Sequence, residues 1–152
     1  MAKPLIALLL AIGVAGCAHS DPTAEGTSSA LHCTTPTDPA PSLGTPFNVR
    51  AGGRTTIASE GLSVTFSELV GESRCPRGVF CIRAGQVDVV IRAEHPSSAT
   101  TDLELSTANL PATHATFGGY DVKLVDALPH PEAGREPTPA SDYCVQLMVV
   151  RP

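Results

Sequence analysis

The strongest constraint on the fold is an alternation of apolar and polar residues after residue 46. Leu62, Val64 and Phe66 alternate with Ser and Thr residues. The same period of two recurs at 87–93, 103–105, 120–124 and 143–149, and shorter candidates lie at 47–50 and 54–58. No window of eleven residues shows a convincing helical stripe. Because successive side chains of a strand point to opposite faces, the pattern predicts strands with one buried face.

Glycine and proline fall between these apolar runs. Gly118 and Gly119 are the clearest hairpin signal, joining 113–117 to 120–126. Seven or eight strands within the 106 residues 47–152 predict an all-β fold, an antiparallel sandwich of immunoglobulin-like or jelly-roll-like kind. A small barrel is the alternative architecture. For residues 102–109, a short helix is the alternative to a strand.

The N-terminus has the pattern of an export signal. Lys3 precedes an apolar run at 5–14, which is too short to span about 30 Å of hydrocarbon. The run ends in Val14-Ala15-Gly16-Cys17, which resembles the bacterial lipobox. This resemblance implies that residues 1–16 are removed and that Cys17 becomes the acylated first residue. The alternative is ordinary cleavage near Ala15 or Ala18, which leaves the Cys17 thiol free.

Residues 17–46 are predicted to form a flexible tether after the lipidated cysteine. Residues 18–46 contain ten Ser or Thr and five Pro but almost no large apolar side chain, so they cannot form a core. The sandwich domain is assigned to 47–152. In lipoproteins that are sorted by the residue after the cysteine, Ala18 favours the outer membrane over retention at the inner membrane.

Four cysteines remain once Cys17 is acylated, an even number in an exported protein, and they predict two disulfides. Three pairings are possible. Cys75 and Cys81 are close enough in sequence to close a short loop, which leaves Cys33 for Cys144. Cys144 is out of phase with the apolar row of the last strand, so its side chain is expected on the other face. A redox pair or a zinc site would require closer cysteine spacing.

The most distinctive segment of the chain is 73–85, SRCPRGVFCIRAG. It resembles an S-R-C-P-x-x-V-x-C-x-W-A-G signature of small uncharacterised bacterial lipoproteins, and a similarity to their later strand and Pro-x-Pro loop extends the resemblance to about 53–150. Arg83 stands where an aromatic residue is usual, so a stacking role there does not carry over. The resemblance implies a compact exported domain and supplies no activity.

Arg74, Arg77 and Arg83 bring three guanidinium groups to this segment. Arginines in a rigid loop can bind carboxylates or phosphates in a bidentate manner, so all three are candidate contacts for a partner or ligand. The alternative is that they pair with Glu68 and Glu72. A second candidate is the proline-rich loop at 128–141, which is either a recognition loop or a solvated excursion.

The sequence shows no recognisable catalytic, metal or cofactor motif, so we predict neither an enzyme nor a cofactor. His95, His114 and His130, with Asp102 or Glu132, are the only metal set worth testing, and none is predicted to bind. After removal of residues 1–16, which include Lys3, 9 of the 10 basic residues and all 15 acidic residues remain, so the net charge is −6. This charge argues against a nucleic-acid partner.

The sequence therefore predicts a protein held at the bacterial cell envelope by lipid on Cys17, most simply at the outer membrane. Its noncatalytic sandwich would contact another protein of an envelope or surface assembly. The alternative is a lipoprotein that binds a small ligand, a glycan or a metal.

Overall fold

The computed structural model describes Cys33, residues 40–108 and residues 113–152. In this part of the chain the elements are β1 (Phe47–Arg50), β2 (Arg54–Ile57), β3 (Leu62–Glu72), β4 (Val87–His95), β5 (Ser98–Ser106), β6 (His114–Phe117), β7 (Tyr120–Leu128), a 3₁₀ turn (Ala140–Asp142) and β8 (Cys144–Val150). They form two four-stranded antiparallel sheets, ordered β1-β8-β7-β6 and β2-β3-β4-β5. The predicted all-β sandwich is confirmed.

The core consists of the inward rows that the alternation predicted. In β4, Val87, Val89, Ile91 and Ala93 are almost completely buried, while Asp88 and Arg92 are not. The inward rows of β7 and β8 meet them from the other sheet. Each fully buried Val or Ile contributes about 1.5–3 kcal/mol, so burial of these rows fixes the register.

Residues 102–106 continue β5, so the helix alternative for 102–109 is wrong over this stretch. Leu103 and Leu105 pair with Ile91 and Val89 of β4, and both are buried. A helix would have removed these two side chains from the core. Asn109 and the three residues after it lie outside the described part of the chain.

Strand β3 continues to Glu72, six residues beyond Phe66, the last apolar residue of the alternation that marks it in the sequence. Register shifts fall between Phe66 and Glu68 and between Leu69 and Gly71. Each bulge inserts a residue and moves the following side chains to the other face, so the alternation is lost while the pairing continues.

The hairpin predicted at Gly118-Gly119 joins β6 to β7, and both glycines have positive φ, 57° and 84°. The turn lies at one end of the sandwich, which we call the turn end. At the opposite end, β3 leads into β4, and β7 leads into β8 through the proline-rich segment. We call this opposite end the loop end.

Residues just before β1 also contact the sandwich. Leu43 packs against the core, and the backbone N–H of Gly44 donates to Val149 O at 2.8 Å. The predicted signal at 1–16, Cys17 and the tether up to residue 39, apart from Cys33, lie outside the described residues. Among the described helices, none is long and apolar enough to span a membrane.

Candidate functional site at the loop end

The connection between β3 and β4, residues 73–86, is held in place at its base. We call it the arginine loop. Ser73 N–H donates to Gln86 O at 2.8 Å, and Cys75 N–H donates to Ala84 O at 2.7 Å, so the sheet ladder continues past both strand ends. Gly85 has φ +68°, and a Cβ there would lie 1.8 Å from Ser73 O. Only glycine allows this close approach of the two backbones.

Both predicted disulfides are present. Cys75 and Cys81, with Cα atoms 5.9 Å apart, close the tip of the arginine loop. Cys33 and Cys144, 111 positions apart in sequence, join the N-terminal segment to the start of β8. Cys144 is buried but lies on the face of β8 opposite Val145, as its phase predicted. The second bridge fastens the tether at the loop end.

Arg74 is buried and connects the two sheets. Its Nε lies 2.9 Å from each carboxylate oxygen of Glu72, and its Nη2 also donates to that carboxylate. Its Nη1 donates to Ala127 O at 2.6 Å and its Nη2 to Pro129 O at 3.0 Å. Asp126 adds a weaker charge contact at 3.7 Å. The guanidinium is therefore occupied by internal partners, as in the predicted pairing of Arg74 with Glu72.

The same cluster changes the acidity of two groups. Burial raises the pKa of Glu72, but hydrogen bonds from the Arg74 side chain and backbone outweigh it and leave the pKa below its ordinary value. Tyr143 donates to Glu72 Oε2 at 3.3 Å. Burial, together with the negative charge of Glu72, raises the pKa of Tyr143. The cluster thus favours a charged carboxylate beside a neutral phenol.

The arginine loop is joined to residues 129–143, which we call the proline loop. Arg77 N–H donates to Pro131 O at 2.8 Å, and Ala133 N–H donates to Arg77 O at 3.0 Å, a short parallel bridge between the loops. Between them lies an open cleft of about 860 Å³. Its charged walls are Glu72, Arg74, Arg77, Glu132, Arg135, Glu136 and Asp142. Charges of both signs line it, and Arg135 pairs with Glu132 at 2.7 Å.

The tip of the arginine loop projects into solvent. Phe80 and Ile82 have relative exposures of 104% and 103%, and Val79 is half exposed. Arg77 and Arg83 are exposed, and neither forms an ion pair with a residue that the structure describes. Of the three predicted contact arginines, Arg74 is an internal clamp, whereas Arg77 and Arg83 flank an apolar tip.

Among the described histidines, His95 and His130 lie at opposite ends of the sandwich. His95 lies at the turn end, where its Nε2 is 3.0 Å from Glu60 O, while His130 belongs to the proline loop at the loop end. Across Cys33, 40–108 and 113–152, no three His, Cys, Asp or Glu residues are placed to hold a metal ion. The metal set considered from the sequence therefore has no geometric support.

A second polar cluster, at the turn end, was not foreseen from the sequence. Tyr120 OH donates to Glu60 Oε2 at 2.8 Å, and Arg151 Nη2 approaches both groups at 2.6–2.7 Å. The Arg151 guanidinium lies 4.9 Å from the centre of the Tyr120 ring. These contacts attach the segment after β8 to the sandwich. In the sequence, the only feature that pointed to this cluster is Tyr120 at the start of an apolar alternating row.

Comparison of the chain with known protein families, curated proteins and solved structures finds no match in any of the three.

Proposed function

We propose that this chain is a lipid-anchored, noncatalytic protein of the bacterial envelope, held by acyl chains on Cys17 at the outer membrane. Its sandwich is presented for contact with another protein of an envelope or surface assembly. The observation that carries the proposal is the Cys33–Cys144 bridge, which fastens the N-terminal segment to one end of the domain. The lipobox-like sequence and the signature at 73–85 support it.

The bridge determines how far the domain stands from its anchor. Cys33 lies only 16 positions after Cys17. A flexible chain of that length spans about 20–24 Å, and full extension gives about 55 Å. Without the bridge, the next attachment of the chain to the sandwich would be near Leu43 and Gly44. The bridge therefore holds the loop end near the membrane and turns the rest of the sandwich away from it.

Strand β5 is the part of the domain best suited to receive a protein partner. Among the described strands it is the edge of its sheet, and it has nine residues. Its exposed residues are Ala99, Thr100, Thr101, Asp102 and Glu104. An unpaired edge can accept a strand from another protein through main-chain hydrogen bonds. Asp102 pairs with Arg92 at 2.8 Å, so Glu104 is the acidic side chain of β5 that favours a basic residue on the partner.

Two measurements test this proposal. Intact mass of the chain purified from its own membranes should show cleavage before Cys17 and added acyl mass, whereas an unacylated chain would exclude the anchor. A photo-crosslinking residue at Thr100 should then capture a discrete partner in cells, and the same residue at Val125 serves as a control away from the edge. Equal capture at both positions would exclude the β5 surface.

The cleft between the arginine and proline loops favours a second candidate, binding of a small ligand. Its charged walls and about 860 Å³ of space suit a small anion or a glycan. Titration calorimetry with phosphate, carboxylates and simple sugars tests it. Heat that disappears in Arg135→Ala would support binding in the cleft, and absence of heat across the set would exclude it for those classes.

A further inference from the structure

The arginine loop ends in a concentration of apolar surface that is absent from the rest of the described chain. Phe80 and Ile82 are completely exposed and Val79 is half exposed, whereas the other exposed large apolar residues, Val70 and Val125, lie on separate strands. Single exposed apolar residues are ordinary, but a cluster of them marks an interaction site. Because Phe80 and Ile82 are completely exposed, their side chains are free to enter another surface.

The charge of the loop differs in sign from that of the chain. Residues 73–87 contain three arginines and no Asp or Glu, although the whole chain carries −5. Glu72 neutralises Arg74, which leaves Arg77 and Arg83 beside the apolar tip. Apolar side chains flanked by arginines are the composition that favours the interface of an anionic bilayer, because its charged headgroups attract nearby basic residues.

The arginine loop is also rigid, and it lies at the end of the domain to which the tether is attached. Cys75–Cys81, the ladder bonds at its base and the bridge to the proline loop hold it, so little conformational freedom is lost on binding. It projects from the loop end, the same end at which Cys33 attaches the tether. A protein partner would account for the exposed tip, but a bilayer also accounts for its position beside the tether.

We propose that Phe80 and Ile82 insert into the interfacial layer of an anionic phospholipid bilayer, with Arg77 and Arg83 held against the headgroup phosphates. The orientation of the domain in this proposal rests on the proposed lipid anchor, whereas the lipid affinity of the loop does not. The anchor and the loop together form two attachments to the membrane. They hold the sandwich with the β5 edge facing along the membrane surface and the turn end facing away from it.

The natural chain has no Trp, so Phe80→Trp supplies a single fluorescent reporter at the tip. It is placed in residues 17–152 with Cys17→Ser, the exported chain without acylation. Vesicles of equal parts phosphatidylethanolamine and phosphatidylglycerol should shift its emission to the blue and allow quenching by brominated lipid. Vesicles of phosphatidylcholine alone should give a much smaller shift. Val125→Trp is the matched control and should remain solvent-like with both.

Vesicle sedimentation of the unacylated chain measures the contributions of the side chains. Phe80→Ser and Ile82→Ser should each weaken binding about tenfold, as expected for removal of a buried large apolar side chain. Arg77→Gln and Arg83→Gln should each weaken binding to anionic vesicles about fivefold. Val125→Ser should leave it unchanged. All five side chains are exposed, so thermal unfolding should confirm that every variant folds.

Three outcomes would overturn the proposal. The first is an unchanged Phe80→Trp spectrum with anionic vesicles at low salt. The second is binding that survives loss of both Phe80 and Ile82. The third is a blue shift that grows with protein concentration in the absence of lipid, which would assign the tip to a second copy of the chain. Acylation of Cys17 is read from native mass, so the anchor and the loop can fail independently.

Discussion

Arg74 donates a hydrogen bond to the backbone carbonyl of Ala127 at 2.6 Å, across the gap between the two sheets. Arg74 follows β3 in one sheet and Ala127 lies in β7 of the other, 53 positions away. The guanidinium is buried, and its remaining donors are taken by Glu72 and Pro129 O. One side chain therefore closes the loop end of the sandwich.

A guanidinium carries five N–H donors, and those of Arg74 are directed at Glu72 and at two backbone carbonyls. Because a buried charge is tolerated only when it is paired and hydrogen-bonded, these contacts make Arg74 a structural residue of the loop end.

Arg74→Ala should therefore destabilise the fold. It removes the buried cation that pairs with Glu72 and the donors to two backbone carbonyls, while the backbone N–H of residue 74 and Tyr143 still donate to Glu72. We expect a loss of about 3 kcal/mol in the free energy of unfolding. Urea denaturation measures it. Arg83→Ala, an exposed position in the same loop, is the matched control and should change stability by less than about 0.5 kcal/mol. Equal effects of the two substitutions would contradict the clamp.

The lowered pKa of Glu72 predicts a dependence of stability on acid. The pKa of the Glu72 carboxyl is lower in the folded than in the unfolded chain, so this group stabilises the fold at pH values above its pKa in the unfolded chain. The contribution is lost as the pH falls through its pKa in the folded chain. We expect stability to decline from about pH 5 downward. Glu72→Gln should be less stable at pH 7 and should lose less than the natural chain on acidification. Parallel curves for the two chains would contradict this assignment.

Gly85 should be far less tolerant of substitution than a glycine of similar backbone conformation. Gly85 and Gly119 have φ +68° and +84°, but a Cβ at Gly119 would meet nothing within 4 Å, whereas at Gly85 it would meet Ser73 O. Gly119→Ala should cost about 1–2 kcal/mol for the left-handed conformation alone. Gly85→Ala should cost more, because the backbones at the loop base must separate. Thermal unfolding compares them, and equal losses would show that the loop base can open freely.

The sequence predicts the sheets better than it predicts the loop end, for a physical reason. The burial of an inward row such as Val87, Val89 and Ile91 can be predicted from its own segment, because the two-residue alternation of a strand is visible within a few consecutive residues. The six-residue spacing of Cys75 and Cys81 is local as well. Burial of Arg74 depends on carbonyls more than 50 positions away, and an arginine is ordinarily exposed. Only the nearby Glu72 signalled a partner.

The two disulfides should differ in how much they stabilise the domain. In the chain-entropy account, the bridge between Cys33 and Cys144 closes a loop of about 112 residues and contributes about 4.8 kcal/mol, whereas the loop of about seven residues between Cys75 and Cys81 contributes about 2.4 kcal/mol. Replacing Cys33 and Cys144 together by Ser and Ala should therefore lower the free energy of unfolding more than the same change at Cys75 and Cys81. Urea denaturation of the oxidised chains measures both, and the reverse order would show that the long bridge adds little constraint to the unfolded chain.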